Sequence, residues 1–223
     1  AKIAQAEAKA IRELKRDIEA TVASNNDRAT EDGAGTANAL RGLGDWLDSA
    51  GPSDVPATYR TPAASIEDVG AGPFLESELN SMISSVFTVT GNTNSLMLVA
   101  DVALRNDISE FARLDAAGAA GANVGVRSVN YDGNSGTIKL SVDLYQSDHG
   151  VVSIVNANPD CMPVTAPVNY TGYLLNPEYY GVHELIPMGS TRLPNLGGGD
   201  RGFVDCALTL GMYHPGAHGK ITS

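Results

Sequence analysis

The sequence has little cysteine: Cys161 and Cys206 are the only two such residues in the 223-residue chain. They lie far apart, and neither has a neighbouring Cys or His at a spacing that suits zinc. We therefore expect two reduced, packed thiols rather than a disulfide framework or a structural metal centre.

The chain also lacks a long hydrophobic run and has no charged-then-apolar leader. We therefore expect neither a membrane-spanning segment nor a secretion signal. Because the sequence starts at Ala1, inside a helical pattern, we expect further residues upstream of it in the full-length protein.

Basic residues are scarce relative to acidic ones, with 15 Lys and Arg against 26 Asp and Glu and a formal net charge of −11. Neutralisation of phosphate is the largest sequence-independent contribution to nucleic-acid binding. The charge balance therefore argues against a primary nucleic-acid-binding surface. Length and hydrophobic content are those of a chain that folds around a packed core.

The sequence also lacks a recognisable set of catalytic or metal-binding residues. Asp148-His149 and Glu178 with His183-Glu184 come nearest to acid–base or metal-binding sets. No Ser or Cys nucleophile elbow and no His-x-x-x-His helix accompanies them. We predict no catalytic, cofactor-binding or metal-binding residues, and hence a structural or binding protein rather than an enzyme.

Three weaker motifs have ordinary explanations. The segment from Leu196 to Asp200 lacks the Lys-Ser/Thr pair of a phosphate-binding loop. The segment from Asp132 to Asp143 resembles a calcium loop faintly, and its misplaced glycine favours a hairpin turn. His214 and His218 are separated by Pro215-Gly216, which argues against a shared helix face, and we expect both on the surface.

The clearest feature that is present is an amphipathic helix over residues 1–24. Its exposed side is heavily charged, as in "AIRELKRDIEATVAS", and Lys9 and Glu13 form an i,i+4 pair. Apolar residues recur at the helical spacing of three and four: Ile3, Ala6, Ala10, Ile11, Leu14, Ile18 and Val22. A loop rich in Gly and Ala follows, and Trp46 with Leu47 provides a small apolar anchor.

The middle of the chain predicts a helix, a buried strand and a second helix. The first helix spans about 73–89 and ends at Gly91, and Ser95 to Ala100 forms the strand. The second helix starts behind Asp101 as a cap. One face of the first helix is expected to be apolar: Leu75, Leu79, Met82, Ile83, Val86 and Phe87.

The last third predicts strands. "TIKLSVDLY" and "VVSIVNA" read as a hairpin around "QSDHG", and "YTGYLL", "YGVHELIPM" and "GFVDCALTLGMY" supply three more strands. The predicted helices come early in the chain and the predicted antiparallel strands come late. This order indicates the α+β class and not a doubly wound sheet, because the late strands have no helices between them.

Four stretches, in order, resemble a known family. "ELKRDIEATVAS" is similar to the signature of tailed-bacteriophage major capsid proteins with the Hong Kong 97-type fold. "NSLMLVADVALRNDISEF", "YLLNPEYYGVHEL" and "CALTLGMYHPGAHGKITS" resemble later parts of the same family. This chain has Ala100-Asp101 where the family usually has a proline, and Asn176 where it usually has aspartate.

The resemblance implies a division of the chain. Residues 1–64 would contain the spine helix and the first part of a peripheral domain, 65–185 an axial domain, and 186–223 the return strands of the peripheral domain. An N-terminal arm and an extended loop would precede the spine helix.

The resemblance also implies a function. The subunit would self-assemble through pentamers and hexamers into an icosahedral or prolate shell around double-stranded DNA, without sequence-specific binding, without a cofactor and without a membrane. It would reside in the virion capsid after assembly in the host cytoplasm, with scaffold, portal and cement proteins as further partners.

The exposed face of the first helix supplies the candidate subunit-interface residues: Arg12, Lys15, Arg16, Asp17 and Glu19. The alternative for these residues is a solvated helix face with weak local ion pairs. Two other functions stay open at this point. One is the shell of a compartment that encloses protein cargo, and the other is an enzyme with a site near His183 and Glu184.

Overall fold

The computed structural model describes residues 2–70, 72–93, 95–111, 131–132, 137–138, 143–162, 170–194, 197 and 201–223. In these ranges the helices are α1 (Lys2–Ala23), α2 (Leu43–Trp46), α3 (Glu76–Thr90) and α4 (Val102–Glu110). The strands are β1 (Ile66–Asp68), β2 (Leu96–Ala100), β3 (Tyr131–Asp132), β4 (Thr137–Ile138), β5 (Leu144–Ser147), β6 (Gly150–Asn156), β7 (Thr171–Leu175), β8 (Tyr180–Leu193), β9 (Arg201–Met212) and β10 (Gly219–Thr222). The predicted α+β class is confirmed.

A mixed six-stranded sheet lies at the centre, in the order β1-β10-β7-β2-β6-β5. Strand β2 runs parallel to β6 and antiparallel to β7, and β1 runs parallel to β10. The late strands pair antiparallel with one another as expected, and β6 also runs parallel to β2, which comes from the middle of the chain. The four-residue strand β10, which completes the sheet between β1 and β7, was not predicted from the sequence.

The central sheet separates two hydrophobic cores. Side chains alternate along β2, because successive residues of a strand point to opposite faces: Leu96, Leu98 and Ala100 join one core, and Met97 and Val99 pack on the other. The first core is closed by α3 and α4. The second contains Leu43, Leu47, Met162, Tyr173, Leu175 and Leu210.

Helix α3 follows its predicted pattern in part. Leu79, Met82, Ile83 and Val86 are fully buried, and Gly91 ends the helix at φ 66° with its N–H on the carbonyl of Phe87. Leu75 and Phe87 were expected on the same apolar face and are 50% and 40% exposed. Leu75 precedes the first helical turn, and Phe87 stacks on His149 at 5.3 Å between ring centroids.

Asp101 caps α4 as predicted. Its Oδ1 accepts a hydrogen bond from the N–H of Leu104 at 2.7 Å, and its Oδ2 accepts one from the N–H of Thr171 at 2.6 Å. One carboxylate therefore both starts the helix and ties it to β7. Burial raises the pKa of Asp101.

The hairpin predicted around "QSDHG" is confirmed by the antiparallel pairing of β5 with β6, which closes at Ser147 and Gly150. Residues 139–142 of the predicted strand before it, most of the segment from Asp132 to Asp143 and most of that from Leu196 to Asp200 lie outside the described residues.

The long strands β8 and β9 form a separate antiparallel ribbon, with register shifts between Glu184 and Ile186 and between Ile186 and Gly189. Helix α1, predicted over 1–24, packs along β9. Short 3-10 turns at Pro177–Tyr179 and Pro215–Ala217 connect this ribbon to β7 and β10 of the central sheet.

His218 was expected on the surface and is fully buried instead. The 3-10 turn at Pro215–Ala217 leads directly into β10, so His218 enters the interior ahead of that strand. Its Nδ1 accepts a hydrogen bond from the N–H of Asn176 at 3.0 Å, and Tyr180 packs edge-on against its ring. Burial lowers the pKa of His218 to about 4.

Candidate assembly surface

Helix α1 is only partly covered by the ribbon on which it lies. None of its residues from 3 to 23 is fully buried, and Ile3 is 40% exposed. The Ser190 hydroxyl is hydrogen-bonded to the Glu7 carboxylate, which places Ser190 on the helix-facing side of β8. Because register partners share a face, Val204 and, by alternation along β9, Leu208 and Leu210 face the helix too.

Two grooves run between α1 and the ribbon. The first, of about 660 Å³, is mainly apolar and lies at the far end of the ribbon, where Ile3, Ala6, Leu193 and Phe203 contribute to its walls. The second, of about 730 Å³, lies nearer the central sheet and includes Asp17 and Cys206. The apolar stripe that the sequence predicts therefore faces the ribbon without being sealed by it.

Four of the five candidate interface residues share one stripe of α1. Arg12, Lys15, Arg16 and Glu19 are spaced i, i+3, i+4 and i+7, which places them on one side of a helix. All four are exposed. Asp17 is also exposed but lies around the helix from them, at the edge of the groove that contains Ile18.

Two members of the stripe contact their own chain. Arg16 Nε lies 3.3 Å from Asp160 Oδ2, with both side chains about 60% exposed, so this pair contributes little to stability. The Cys161 thiol lies 3.5 Å from Glu19 Oε2, to which it donates, and burial raises the pKa of that thiol. Arg12 and Lys15 form no ion pair with another described residue.

The ribbon exposes several large apolar side chains. Leu185 is 86% exposed, and Val182, Ile186, Leu193 and Phe203 are each more than 40% exposed. A two-stranded ribbon is marginally stable in water by itself, and exposed apolar side chains grouped on one element mark an interaction surface. We define the charged stripe of α1 together with the exposed apolar residues of β8 and β9 as the candidate assembly surface.

His183 and Glu184 do not form a joint catalytic site. They are successive residues of β8 and so point to opposite faces of the ribbon. His183 Nε2 lies 2.8 Å from the hydroxyl of Tyr213, and its ring covers Gly211. The geometry therefore does not provide the paired acid and base that an enzyme site here needs.

A buried arginine holds the loop between α1 and α2. Arg41 is 6% exposed and pairs with Asp27 and Asp54 at 2.9 Å each, and its Nε lies 3.0 Å from Asp45. Hydrogen bonds from Arg41 hold the pKa values of Asp27 and Asp54 below the usual range, whereas burial raises that of Asp45. The Trp46 ring centroid lies 4.8 Å from the guanidinium carbon of Arg41. This cluster was not predicted, because its members are recognisable only once the loop is folded.

The described residues hold no group of three or more His, Cys, Asp or Glu side chains arranged for a metal ion. Cys161 and Cys206 are both free and partly buried. Over the same ranges, no helix combines the length and the apolar character that are needed to cross a membrane.

Residues 1–223, the whole chain, match the profile of the SU10 major capsid protein family. The chain belongs to that family. It is a bacteriophage major capsid protein, a structural component of the virion, and its role lies in the capsid. A comparison with curated proteins finds no match to this capsid protein.

Because the chain belongs to a capsid protein family, contacts with other subunits are the relevant role to consider for the candidate assembly surface. A capsid subunit must bind other subunits, and α1, β8 and β9 expose both charged and apolar side chains. The helical period of the sequence predicted the charged stripe. The exposure of the apolar residues on the ribbon was not predicted, because alternation along a strand does not show which face stays uncovered.

Proposed function

We propose that this capsid protein self-assembles into a closed icosahedral or prolate shell around double-stranded DNA, and that its subunit has the Hong Kong 97-type fold. The observation that carries the proposal is the exposed apolar surface of the ribbon. Leu185 and Ile186 lie at or beside the first register shift of β8 and are 86% and 46% exposed. Burial of such side chains between neighbouring copies removes apolar area from water and so favours association.

The proposed division of the chain maps onto these elements. Residues 1–64 contain α1, which would be the spine helix of the peripheral domain, and 65–185 contain most of the central sheet, which would be the axial domain. Residues 186–223 return through β9. Two strands link the middle and last segments: β8 crosses the boundary between them, and β10 comes from the last segment and pairs with β1 and β7 of the middle one.

The negative net charge of the chain supports a shell that encloses DNA without binding it tightly. A net charge of −11 gives no general attraction for phosphate, so a genome inside such a shell would be enclosed without being held tightly. Scaffold, portal and cement proteins, and assembly in the host cytoplasm, belong to the same proposal.

Electron microscopy of the full-length protein tests the proposal. The protein would be expressed alone and, separately, with its neighbouring scaffold gene product, and particles would then be treated with nuclease before extraction of protected nucleic acid. Closed shells are expected, and particles from infected cells should protect double-stranded DNA. Shells that contain protein cargo and no DNA would favour an enclosing compartment, and a monomer under both conditions would contradict the proposal.

Charge reversal on α1 tests which residues form the contact. Arg12→Glu and Lys15→Glu should reduce particle yield and leave thermal unfolding unchanged, because both side chains are exposed and pair with no described residue. Arg12→Lys and Lys15→Arg are the matched controls, since each keeps the charge. Normal yield from both reversals would remove the two residues from the interface.

A further inference from the structure

Two residues opposite each other in the central sheet reach the same end of α1. Tyr173 of β7 and Lys220 of β10 are register partners in an antiparallel pair. Register partners project on the same face of a sheet, with Cβ atoms about 5 Å apart. Both side chains therefore point away from α3 and α4 and towards the second core.

Both side chains bind backbone or amide groups at the end of α1. The Tyr173 hydroxyl donates to the carbonyl of Ala23, the last residue of α1, at 2.8 Å. Lys220 Nζ donates to Asn25 Oδ1 at 3.2 Å and to the carbonyl of Gly44 at 2.9 Å. The sheet thus holds the helix end and the short helix α2 that packs beside it.

The helix end depends on donors from outside. The last carbonyls of an α-helix have no partner within the helix, and α1 has no basic residue in its last turn. Tyr173 supplies one such donor from a position that is 1% exposed. Burial raises the pKa of Tyr173 to about 12, so its hydroxyl keeps the proton that it donates.

The connection along the chain does not fix the direction of α1. The segment from Ser24 to Ser65 separates α1 from β1, the next strand of the sheet. The direction of α1 relative to the sheet is therefore set by contacts, and Tyr173 and Lys220 provide two direct hydrogen-bond links from the sheet to the residues at the end of α1. A closed shell of pentamers and hexamers admits only a narrow range of angles between neighbours, so it needs a well-defined angle between α1 and the sheet within each subunit.

We propose that Tyr173 and Lys220 are positioning residues that set the angle between α1 and the central sheet, and thereby the curvature with which subunits join. The proposal rests on the proposed shell function, because the helix is taken to carry part of the subunit interface. The two residues act through α1 and need not touch a neighbour.

A distance measurement tests the positioning role without assembly. Spin labels would be placed on α1 at Lys9→Cys and on α3 at Ser81→Cys, both exposed, in a full-length Cys161→Ser, Cys206→Ser background kept unassembled at low concentration. Tyr173→Phe removes one hydroxyl, and loss of one hydrogen bond should raise the undocked population of α1 roughly fivefold. The distribution of label distances should then broaden. Lys220→Met, which keeps the aliphatic stem, should broaden it as well.

Tyr170→Phe is the matched control. Tyr170 precedes β7, is 6% exposed and is hydrogen-bonded to Asp107 of α4, so the substitution removes a buried hydroxyl that does not contact α1. Its distance distribution should equal that of the parent protein. Equal distributions for Tyr173→Phe, Lys220→Met and the parent would overturn the proposal, as would equal broadening in Tyr170→Phe.

The shells themselves give the second readout. Tyr173→Phe and Lys220→Met should still fold and associate, and their particles should be more variable in diameter than those of the wild type and of Tyr170→Phe. If the wild type forms no shell, the proposed function fails and the distance measurement still decides the positioning role. If the wild type forms shells and the variants match its diameters, the link to curvature fails alone.

Discussion

Glycine at positions 42 and 44 lets two backbone segments approach more closely than any other residue allows. A Cβ at Gly42 would lie 2.0 Å from the carbonyl oxygen of Ser24, and one at Gly44 would lie 1.7 Å from Asn25 Oδ1. Gly42 has an ordinary extended conformation, with φ −79° and ψ 163°. The requirement for glycine there is therefore steric and does not arise from backbone strain.

Gly42→Ala should lower the free energy of unfolding by roughly 1–3 kcal/mol, because the Ser24 backbone must move to admit a methyl group. Gly189→Ala is the control, since its Cβ would meet nothing closer than 3.8 Å; it should stay within roughly 0.5 kcal/mol of wild type. Urea denaturation of both variants measures the difference. Equal stability of the two would contradict the close approach.

His218 predicts a pH dependence of stability. Its pKa is about 4 in the folded protein and about 6.5 in the unfolded chain, so the unfolded state binds more protons between these values. Stability therefore falls as pH falls from about 6.5 to about 4, by roughly 3 kcal/mol from this group.

His218→Asn isolates this contribution, because the Asn side-chain oxygen can still accept from the N–H of Asn176 but does not titrate. Urea midpoints across this pH window should fall less steeply for the variant than for the wild type. Parallel curves would show that His218 does not titrate as its burial implies.

At the scale of single elements, α3 shows which buried residues a helical period predicts correctly and which it does not. The period placed Leu75 and Leu79 on one apolar face, yet Leu79 is fully buried and Leu75 is 50% exposed. The N–H of Leu75 donates to Glu78 Oε2 at 2.7 Å, which starts the helix after Leu75. The position of this N-terminal cap therefore determines which residue is the first of the buried face of α3.

Leu79→Ala should cost roughly 2–5 kcal/mol of unfolding free energy, as expected for a cavity in a packed core. Leu75→Ala should cost less than about 1 kcal/mol, since its side chain is half exposed and the bond to Glu78 uses its backbone. Chemical denaturation of the pair measures both. A large loss in Leu75→Ala would mean that the predicted six-residue face is buried after all.

At the scale of the whole molecule, the residues expected to stabilise the fold differ from the residues expected to act in assembly. The central sheet has a core on each face, whereas the ribbon of β8 and β9 leaves Leu185 and several neighbours exposed. Substitutions in the sheet should therefore act on stability, and substitutions on the ribbon should act on association.

Leu185→Lys should leave the free energy of unfolding within roughly 0.5 kcal/mol of wild type, because the side chain is already exposed. Particle yield should fall strongly, since a charge would be buried between subunits. Leu75→Lys is the matched control, because it introduces the same change at another exposed leucine outside the ribbon. Light scattering and electron microscopy would measure yield, and wild-type yield from Leu185→Lys would exclude this part of the ribbon from the interface.

Local patterns in the sequence determined several elements correctly. The period of three and four predicted α1, the short apolar run before Asp101 predicted β2 and the cap of α4, and Gly91 marked the end of α3. These features follow from interactions within a few residues along the chain, so they can be read without knowledge of the fold. The charged stripe of α1 was found in the same way.

Other features depend on contacts between segments that are distant along the chain. The insertion of β10 between β1 and β7, the burial of His218 and the joint contact of Tyr173 and Lys220 with α1 all depend on pairing between distant segments. The face of a strand that stays uncovered is likewise set by what packs on it, because alternation assigns side chains to two faces without saying which one is buried. Local patterns thus predicted several helices and strands and the family resemblance, and long-range packing determined which of their surfaces stay exposed.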